Sequence, residues 1–337
     1  MKNLIKFFFI LLVPILVFSN CKDDPADPVV TEYETLTQYM VQNDLDLPDL
    51  LNGWVKPATA LNVDPVDYSV ADYFVLDLRS QEDFDIGHIK DAVRTNLADV
   101  LTVAEQANGK PILVVCYTGQ TAARATAALR LMKKEAYCLK WGMSGWHDNL
   151  AGKWKANAGD FDSPNWLTTG TPEPNREFGN PNITTGETDA PAILRERVQQ
   201  MLQKQWTLSK ETVLGNPEAY FINNYWPLES WNEFGHVKGA YRIYEDLNLT
   251  GLKYLDPGAT IVTYCYTGQT SGIVTGWLDV MGYDGRSLMY GANGIVHSKL
   301  VGSDVDGGKK KSWHGAGSGS ECNFGYYDSN GNMVNPN

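Results

Sequence analysis

Basic residues, histidine and long hydrophobic runs are all scarce in this chain of 337 residues. Lysine and arginine number 28 against 40 aspartates and glutamates, a formal net charge of −12. Nucleic acid needs a basic face for its phosphates, so no nucleic-acid partner is expected. An anionic substrate must then be captured by local dipoles, because the overall field repels it. The five histidines and five cysteines nowhere fall at metal-ligand spacing, so no metal is expected. The unbroken apolar run from Phe7 to Phe18 falls short of the ~20 residues a membrane-spanning helix needs. What is present is ordinary globular material, 43% hydrophobic and 20% charged, with length enough for two cores.

The most informative stretch is Ile112-Leu113-Val114-Val115 followed by Cys116-Tyr117-Thr118-Gly119-Gln120-Thr121. A β-branched run ends on a cysteine, and the chain then enters an alanine-rich segment with apolar Ala125, Ala128, Leu129 and Met132 at helical spacing. Thr121 is the expected N-cap. A strand, a six-residue loop and a helix N-terminus direct backbone N–H groups and the positive end of the helix dipole at the sulfur. Both favour thiolate, so Cys116 is expected to be a nucleophile of low pKa. The competing reading is an inert cysteine buried at a strand end.

Repetition decides between them. Cys265-Tyr266-Thr267-Gly268-Gln269-Thr270 repeats the hexapeptide letter for letter, again between an apolar strand and a helix with Ile273, Val274, Trp277, Leu278 and Met281. Gly87-His88-Ile89 recurs as Gly235-His236-Val237, and Trp141-Gly142 as Tyr290-Gly291, all offset by 148 or 149 residues. The chain reads as two copies of one domain.

These residues resemble the rhodanese family of sulfurtransferases. The resemblance rests on Asp77-Leu78-Arg79 after an apolar strand, on Phe84 and Gly87-His88-Ile89, on the Cys-x-x-Gly-x-Thr loop and on the closing Gly142. The second copy departs from it, with Asn223-Asn224 in place of Asp-x-Arg. The resemblance implies an α/β fold of two rhodanese-like domains, each a central, mostly parallel sheet flanked by helices, with the cysteine loop at the sheet's carboxyl edge. The domains are expected at 31–155 and 192–301, joined by a Pro-, Asn- and Thr-rich linker at 156–191 and followed by a Gly/Ser-rich tail at 302–337.

The implied reaction moves sulfane sulfur through a persulfide on Cys116 or Cys265. A small donor (mercaptopyruvate, a polysulfide or thiosulfate) loads it, and a thiol or cyanide removes it. The loop amides do the electrostatic work, so no cofactor is implied. Tyr117, Thr118, Gly119, Gln120 and Thr121 would bind substrate around Cys116; Tyr266, Thr267, Gly268, Gln269 and Thr270 would do so around Cys265. Arg79 either braces the first loop or binds an anion, the brace being preferred, and Arg124, one turn into the helix, is placed to reach an anion at its mouth. Family members that favour thiosulfate carry cations in the two variable loop positions. Here Tyr117-Thr118 and Tyr266-Thr267 are uncharged, which points to mercaptopyruvate, a polysulfide or a protein persulfide as donor.

Rival chemistry fares worse. A cysteine phosphatase or arsenate reductase needs a longer loop ending in an arginine, whereas these loops end in Thr121 and Thr270. A catalytically weak, surface-anchored binding module is the non-enzymatic alternative, and two intact loops weigh against it. His88 is expected to be structural and Cys138 part of the core; Cys322 has no legible role.

Residues 1–20, with Lys2 and Lys6 ahead of the apolar run, read as an export signal. Ser19-Asn20-Cys21 resembles a lipobox, which makes Cys21 the lipidation site and 21–30 a tether. The implied location is the bacterial outer membrane, with the membrane reached through the N-terminal lipid. Trp154 and Trp166 are expected to pin the linker to the first domain. Lys309-Lys310-Lys311 is expected to be a solvated charge run, and an Asn-Gly hairpin is expected between Tyr326-Tyr327 and Met333-Val334.

Overall fold

A computed structural model describes residues 30–314 and 322–336. The expected export signal, the expected lipidation site Cys21 and the expected tether up to residue 29 lie outside the described residues. No helix among the described residues is long and apolar enough to cross a membrane.

The short apolar runs of the first half form five parallel strands, β1 (Val55–Lys56), β2 (Phe74–Asp77), β3 (Val93–Arg94), β4 (Ile112–Val115) and β5 (Ala136–Leu139), in the order β1-β5-β4-β2-β3. Every residue of β4 is buried, as expected of a parallel strand covered on both faces. The connecting stretch holds β6 (Trp166–Leu167). The second half contributes β7 (Thr207–Leu208), β8 (Phe221–Asn224), β9 (His236–Val237), β10 (Thr260–Tyr264) and β11 (Asp284–Leu288). Four of these form a parallel sheet in the order β7-β11-β10-β8, matching the first sheet strand for strand apart from its β3 edge. The class is α/β, with parallel sheets flanked by helices.

The two cysteine-loop helices, Gln120–Leu131 and Gln269–Val280, pack directly on one another. Small residues make this possible. A Cβ added at Gly272 would lie 3.1 Å from the Gln120 carbonyl oxygen and 3.4 Å from Ala123 Cβ; one at Gly276 would lie 3.4 Å from Ala127 Cβ. The alanine-rich sequence of one helix and the Gly272-x-x-x-Gly276 spacing of the other thus bring both helix N-termini side by side. Leu36 and Met40 of helix Glu32–Gln42, and Leu194, Val198, Met201 and Leu202 of helix Ala190–Gln203, complete one continuous core with Trp277. Each such fully buried side chain contributes ~1.5–3 kcal/mol. Thr31 and Glu34 form a capping box at the start of helix Glu32–Gln42. Glu32 accepts hydrogen bonds from Thr185 N (2.7 Å) and Gly186 N (3.1 Å), which ties the connecting stretch to this layer.

One expectation about the periphery changes and another holds. Trp154 does pack within the first half, edge-on to Trp141, but Trp166 lies in β6, paired with β9, and its Nε1–H donates to Phe234 O at 3.1 Å. Its indole finds a carbonyl partner only in the second half. The described part of the tail is ordered: β12 (Tyr326–Tyr327) and β13 (Met333–Val334) form the expected antiparallel hairpin, with Gly331 at φ 77°. It returns to the first half, where His88 N donates to Tyr327 O (2.9 Å) and Trp146 Nε1 to Gly325 O (2.8 Å).

Candidate active site

β4 delivers Cys116 to the carboxyl edge of its sheet, and the chain turns through Gly119 (φ 82°) into the helix. Gly119, not the expected Thr121, occupies the N-cap position, and it offers no side chain. The sulfur caps the helix instead. Cys116 Sγ accepts hydrogen bonds from Gly119 N at 3.2 Å and Ala122 N at 3.3 Å. It stands where a capping oxygen stands in an ordinary helix. Cys116 is 5% exposed, however, and burial pushes its thiol above the ordinary cysteine range, while the amides of Ala122, Thr118 and Gly119 pull the other way. The low pKa expected from the loop amides and the helix dipole is therefore corrected. Desolvation of the thiolate outweighs the donors of the loop.

Cys265 repeats the arrangement, 2% exposed, with Ser271 N at 3.4 Å from Sγ. Behind it stand two hydroxyls the first loop lacks: Ser271 Oγ lies 3.6 Å from the sulfur and 2.7 Å from Ser287 Oγ. Ala122 and Cys138 hold those places in the first half. Cys138 is fully buried in β5, donates its S–H to Gly119 O at 3.2 Å, and has its thiol pushed well up by burial. The closing glycines explain themselves sterically. A Cβ at Gly142 (φ 61°) would lie 2.3 Å from Cys116 O, and one at Gly291 (φ 52°) 2.1 Å from Cys265 O.

Asp77 and Arg79 form a buried ion pair at 2.6 Å, and Arg79 also donates to Gly87 O (2.6 Å) and Asp83 O (3.2 Å). Its guanidinium lies 5.5 Å from the Tyr117 ring, so it braces the loop while lining the cleft. Strand register puts Asn224 opposite Tyr264 as Asp77 is opposite Val115, which leaves Trp226 in the place of Arg79. Asn224 Nδ2 donates to Tyr264 Oη at 2.8 Å, and the buried Trp226 packs on Tyr264 and Tyr266 with centroids 5.4 and 5.1 Å away. The second loop is therefore braced by aromatic packing instead of an ion pair.

Arg124 does not reach the loop mouth. It is fully buried, with Nη2 2.6 Å from Asp279 Oδ2 and 2.7 Å from Met201 O, in a cluster joined by Lys204. The helix turns its side chain toward the neighbouring helices, a direction that sequence position alone does not reveal. His88 also stays out of the cleft: its Nδ1 is 2.9 Å from Phe84 O and its ring stacks on Phe84. His236 stacks on Trp231, and burial lowers its pKa to about 4.

Tyr117, Thr118, Gln120 and Thr121 line a cleft of about 370 Å³ at Cys116. Its opposite wall comes from the second half, through Trp206, Thr207, Met289 and Tyr290. Tyr266, Thr267, Gln269 and Thr270 line a cavity of about 480 Å³ at Cys265, which is closed by Leu51, Trp54, Val55 and Pro57 of the first half. Gly119 and Gly268 shape the backbone without lining either space. The first cleft is polar, with Arg79, Asp83 and the exposed Lys153; the second is aromatic, with Tyr225, Trp226 and Tyr244. Sequence reasoning missed these walls because they come from distant segments. It also missed Lys311, which lines the second cavity, pairs with Asp306 at 2.8 Å and lies 4.5 Å from the Tyr266 ring. The hydroxyl of Tyr266, itself pushed up by burial, donates to Asp306 at 2.7 Å.

Residues 64–149 match the family described as Rhodanese-like domain. None of the curated proteins matches the chain. Among solved structures, a rhodanese-related protein from Thermoplasma volcanium is 19% identical over 26% of this chain and 85% of its own, with a TM-score of 0.24. A thiosulfate sulfurtransferase from Pseudomonas aeruginosa is 15% identical over 86% of this chain and 48% of its own, with a TM-score of 0.28. A 3-mercaptopyruvate sulfurtransferase from Leishmania major is 14% identical over 67% and 70%, with a TM-score of 0.24. At TM-scores this low none of these likenesses transfers a residue or a substrate to this chain.

Proposed function

We propose that the protein is a tandem sulfurtransferase in which Cys116 and Cys265 each carry sulfane sulfur as a persulfide. The observation that carries the reading is the duplicated hexapeptide, with each sulfur at a helix N-terminus, held by two backbone N–H groups at Cys116 and one at Cys265, and facing its own cavity. The match of residues 64–149 to the Rhodanese-like domain supports it.

In the first half-reaction a cysteine thiolate attacks the donor's outer sulfur. The donor's bond to that sulfur breaks, and its electron pair leaves with the remainder, as sulfite from thiosulfate or as pyruvate enolate, then protonated, from mercaptopyruvate. The N–H groups that cap the sulfur stabilise the negative charge of the resulting persulfide. In the second half-reaction a thiolate or cyanide attacks the terminal sulfur and leaves as a persulfide or thiocyanate, restoring the cysteine thiolate.

The charge environment favours a donor other than thiosulfate. Both arginines near the first loop are already engaged, Arg79 with Asp77 and Arg124 with Asp279, which leaves Lys153, exposed at the cleft with its Nζ 5.1 Å from the Tyr117 ring, as the cation a dianion would meet there. A dianion entering the loop loses hydration and gains mainly neutral hydrogen bonds. These contribute ~0.5–1.5 kcal/mol against ~1.5–3 for charged ones, a deficit of about tenfold in affinity. Steady-state assays with cyanide as acceptor test both parts. Mercaptopyruvate is expected to give the higher kcat/KM, Cys116→Ser and Cys265→Ser each to retain part of it, and the double variant to retain none. A higher kcat/KM for thiosulfate contradicts the charge argument, and full turnover in the double variant contradicts the proposal.

A further inference from the structure

The close helix pair leaves the two hexapeptides back to back, and their glutamines are exchanged. Gln269 sits in the Cys265 loop, yet its Nε2 donates to Thr118 O of the Cys116 loop at 2.9 Å. Gln120 sits in the Cys116 loop, yet its Oε1 accepts from Tyr290 N at 2.8 Å, in the turn whose next residues, Ala292 and Asn293, hold Cys265 O and Tyr266 O. Both side chains are buried, 6% exposed for Gln120 and 3% for Gln269, so their amides are costly unless bonded. The glycines make the seats: a Cβ at Gly119 would lie 2.8 Å from Gln269 Nε2, and one at Gly268 2.3 Å from Gln120 Oε1. Each loop thus leaves room at its glycine for the other loop's glutamine.

We infer that Gln269 is a positioning residue for Cys116, acting across the two halves of the molecule. The carbonyl it holds, Thr118 C=O, belongs to the same rigid peptide plane as Gly119 N–H. That N–H donates to Cys116 Sγ at 3.2 Å. Fixing the oxygen on one side of the plane aims the hydrogen at the sulfur on the other, and polarises the amide as it does so. Gln120 Nε2 grips the same residue through Thr118 Oγ1 at 3.0 Å, so Thr118 is held from both halves. Gln269 also lines the Cys265 cavity, which places one side chain between the two cysteine sites.

The inference rests on Cys116 being a reactive nucleophile, as proposed above, but not on sulfur being what it transfers. The test is accordingly independent of turnover: the rate of iodoacetamide alkylation at Cys116 as a function of pH, read by mass spectrometry of the Cys116 and Cys265 peptides in the full chain. Gln269→Met keeps the volume and removes the donor. It is expected to move the Cys116 profile to higher pH and to slow alkylation below the midpoint about threefold to tenfold, the effect of one lost hydrogen bond. Gln269→Ala is the second variant, so that a failure of one to fold leaves the measurement intact. A Cys116 profile that stays in place in a folded variant, with only Cys265 moving, overturns the inference. A shifted Cys116 profile in a protein that transfers no sulfur upholds it while removing the sulfurtransferase reading.

Discussion

At Cys116 two opposing effects meet on one sulfur atom. The amides of Thr118, Gly119 and Ala122 and the helix terminus stabilise negative charge, while near-complete burial withdraws the solvent that stabilises it better. Burial prevails, so the thiol deprotonates above its ordinary range. The consequence is directional. Alkylation of Cys116 is expected to rise with pH, with a midpoint above the ~8.5 of a free cysteine, as read from the Cys116 peptide over a pH series. A midpoint near neutrality would contradict the burial argument. The sequence carried the donors plainly, because Cys-x-x-Gly-x-Thr between a strand and a helix dictates where N–H groups point. It did not carry the burial, because the wall over the cleft comes from Trp206, Met289 and Tyr290, about 90 to 170 residues further along the chain.

At the scale of elements, apolar spacing made the helices after the two cysteine loops legible, Gln120–Leu131 and Gln269–Val280. Spacing says which face is buried and leaves open what it is buried against. Arg124 shows the difference, since it lies one turn into the helix whether it faces an anion or Asp279. Its observed role is structural: it joins helix Gln120–Leu131 to Asp279 on one neighbour and to Met201 O on another. Arg124→Ala leaves a buried carboxylate with only Lys204 and the backbone, so a loss of ~3 kcal/mol or more is expected in urea unfolding. Unchanged stability with a sharply raised KM would return Arg124 to substrate binding. The exchange of Asp77 and Arg79 for Asn224 and Trp226 was half visible, as a lost ion pair. The aromatic packing that replaces it needed the strand register.

At the scale of the whole molecule, the α/β class was legible because the hexapeptide recurs letter for letter and each occurrence sits in its own strand–loop–helix pattern. The reciprocity between the halves was not. Trp54 and Val55 close the Cys265 cavity, Trp206 and Tyr290 face Cys116, and residues 322–336 return to the first half. All are contacts between segments far apart in the chain, which no local pattern encodes. Lys311 was misread for that reason: three lysines in a row look solvated until the fold sets one beside Tyr266. Two cysteines, each walled by the other's half, are both proposed to carry sulfur. The most direct measurement is mass spectrometry of the Cys116 and Cys265 peptides after exposure to mercaptopyruvate, thiosulfate and polysulfide in turn, then to cyanide. One added sulfur atom is expected on each cysteine with at least one donor, removed as thiocyanate; either peptide left unmodified after all three donors would contradict the proposal that both carry sulfur.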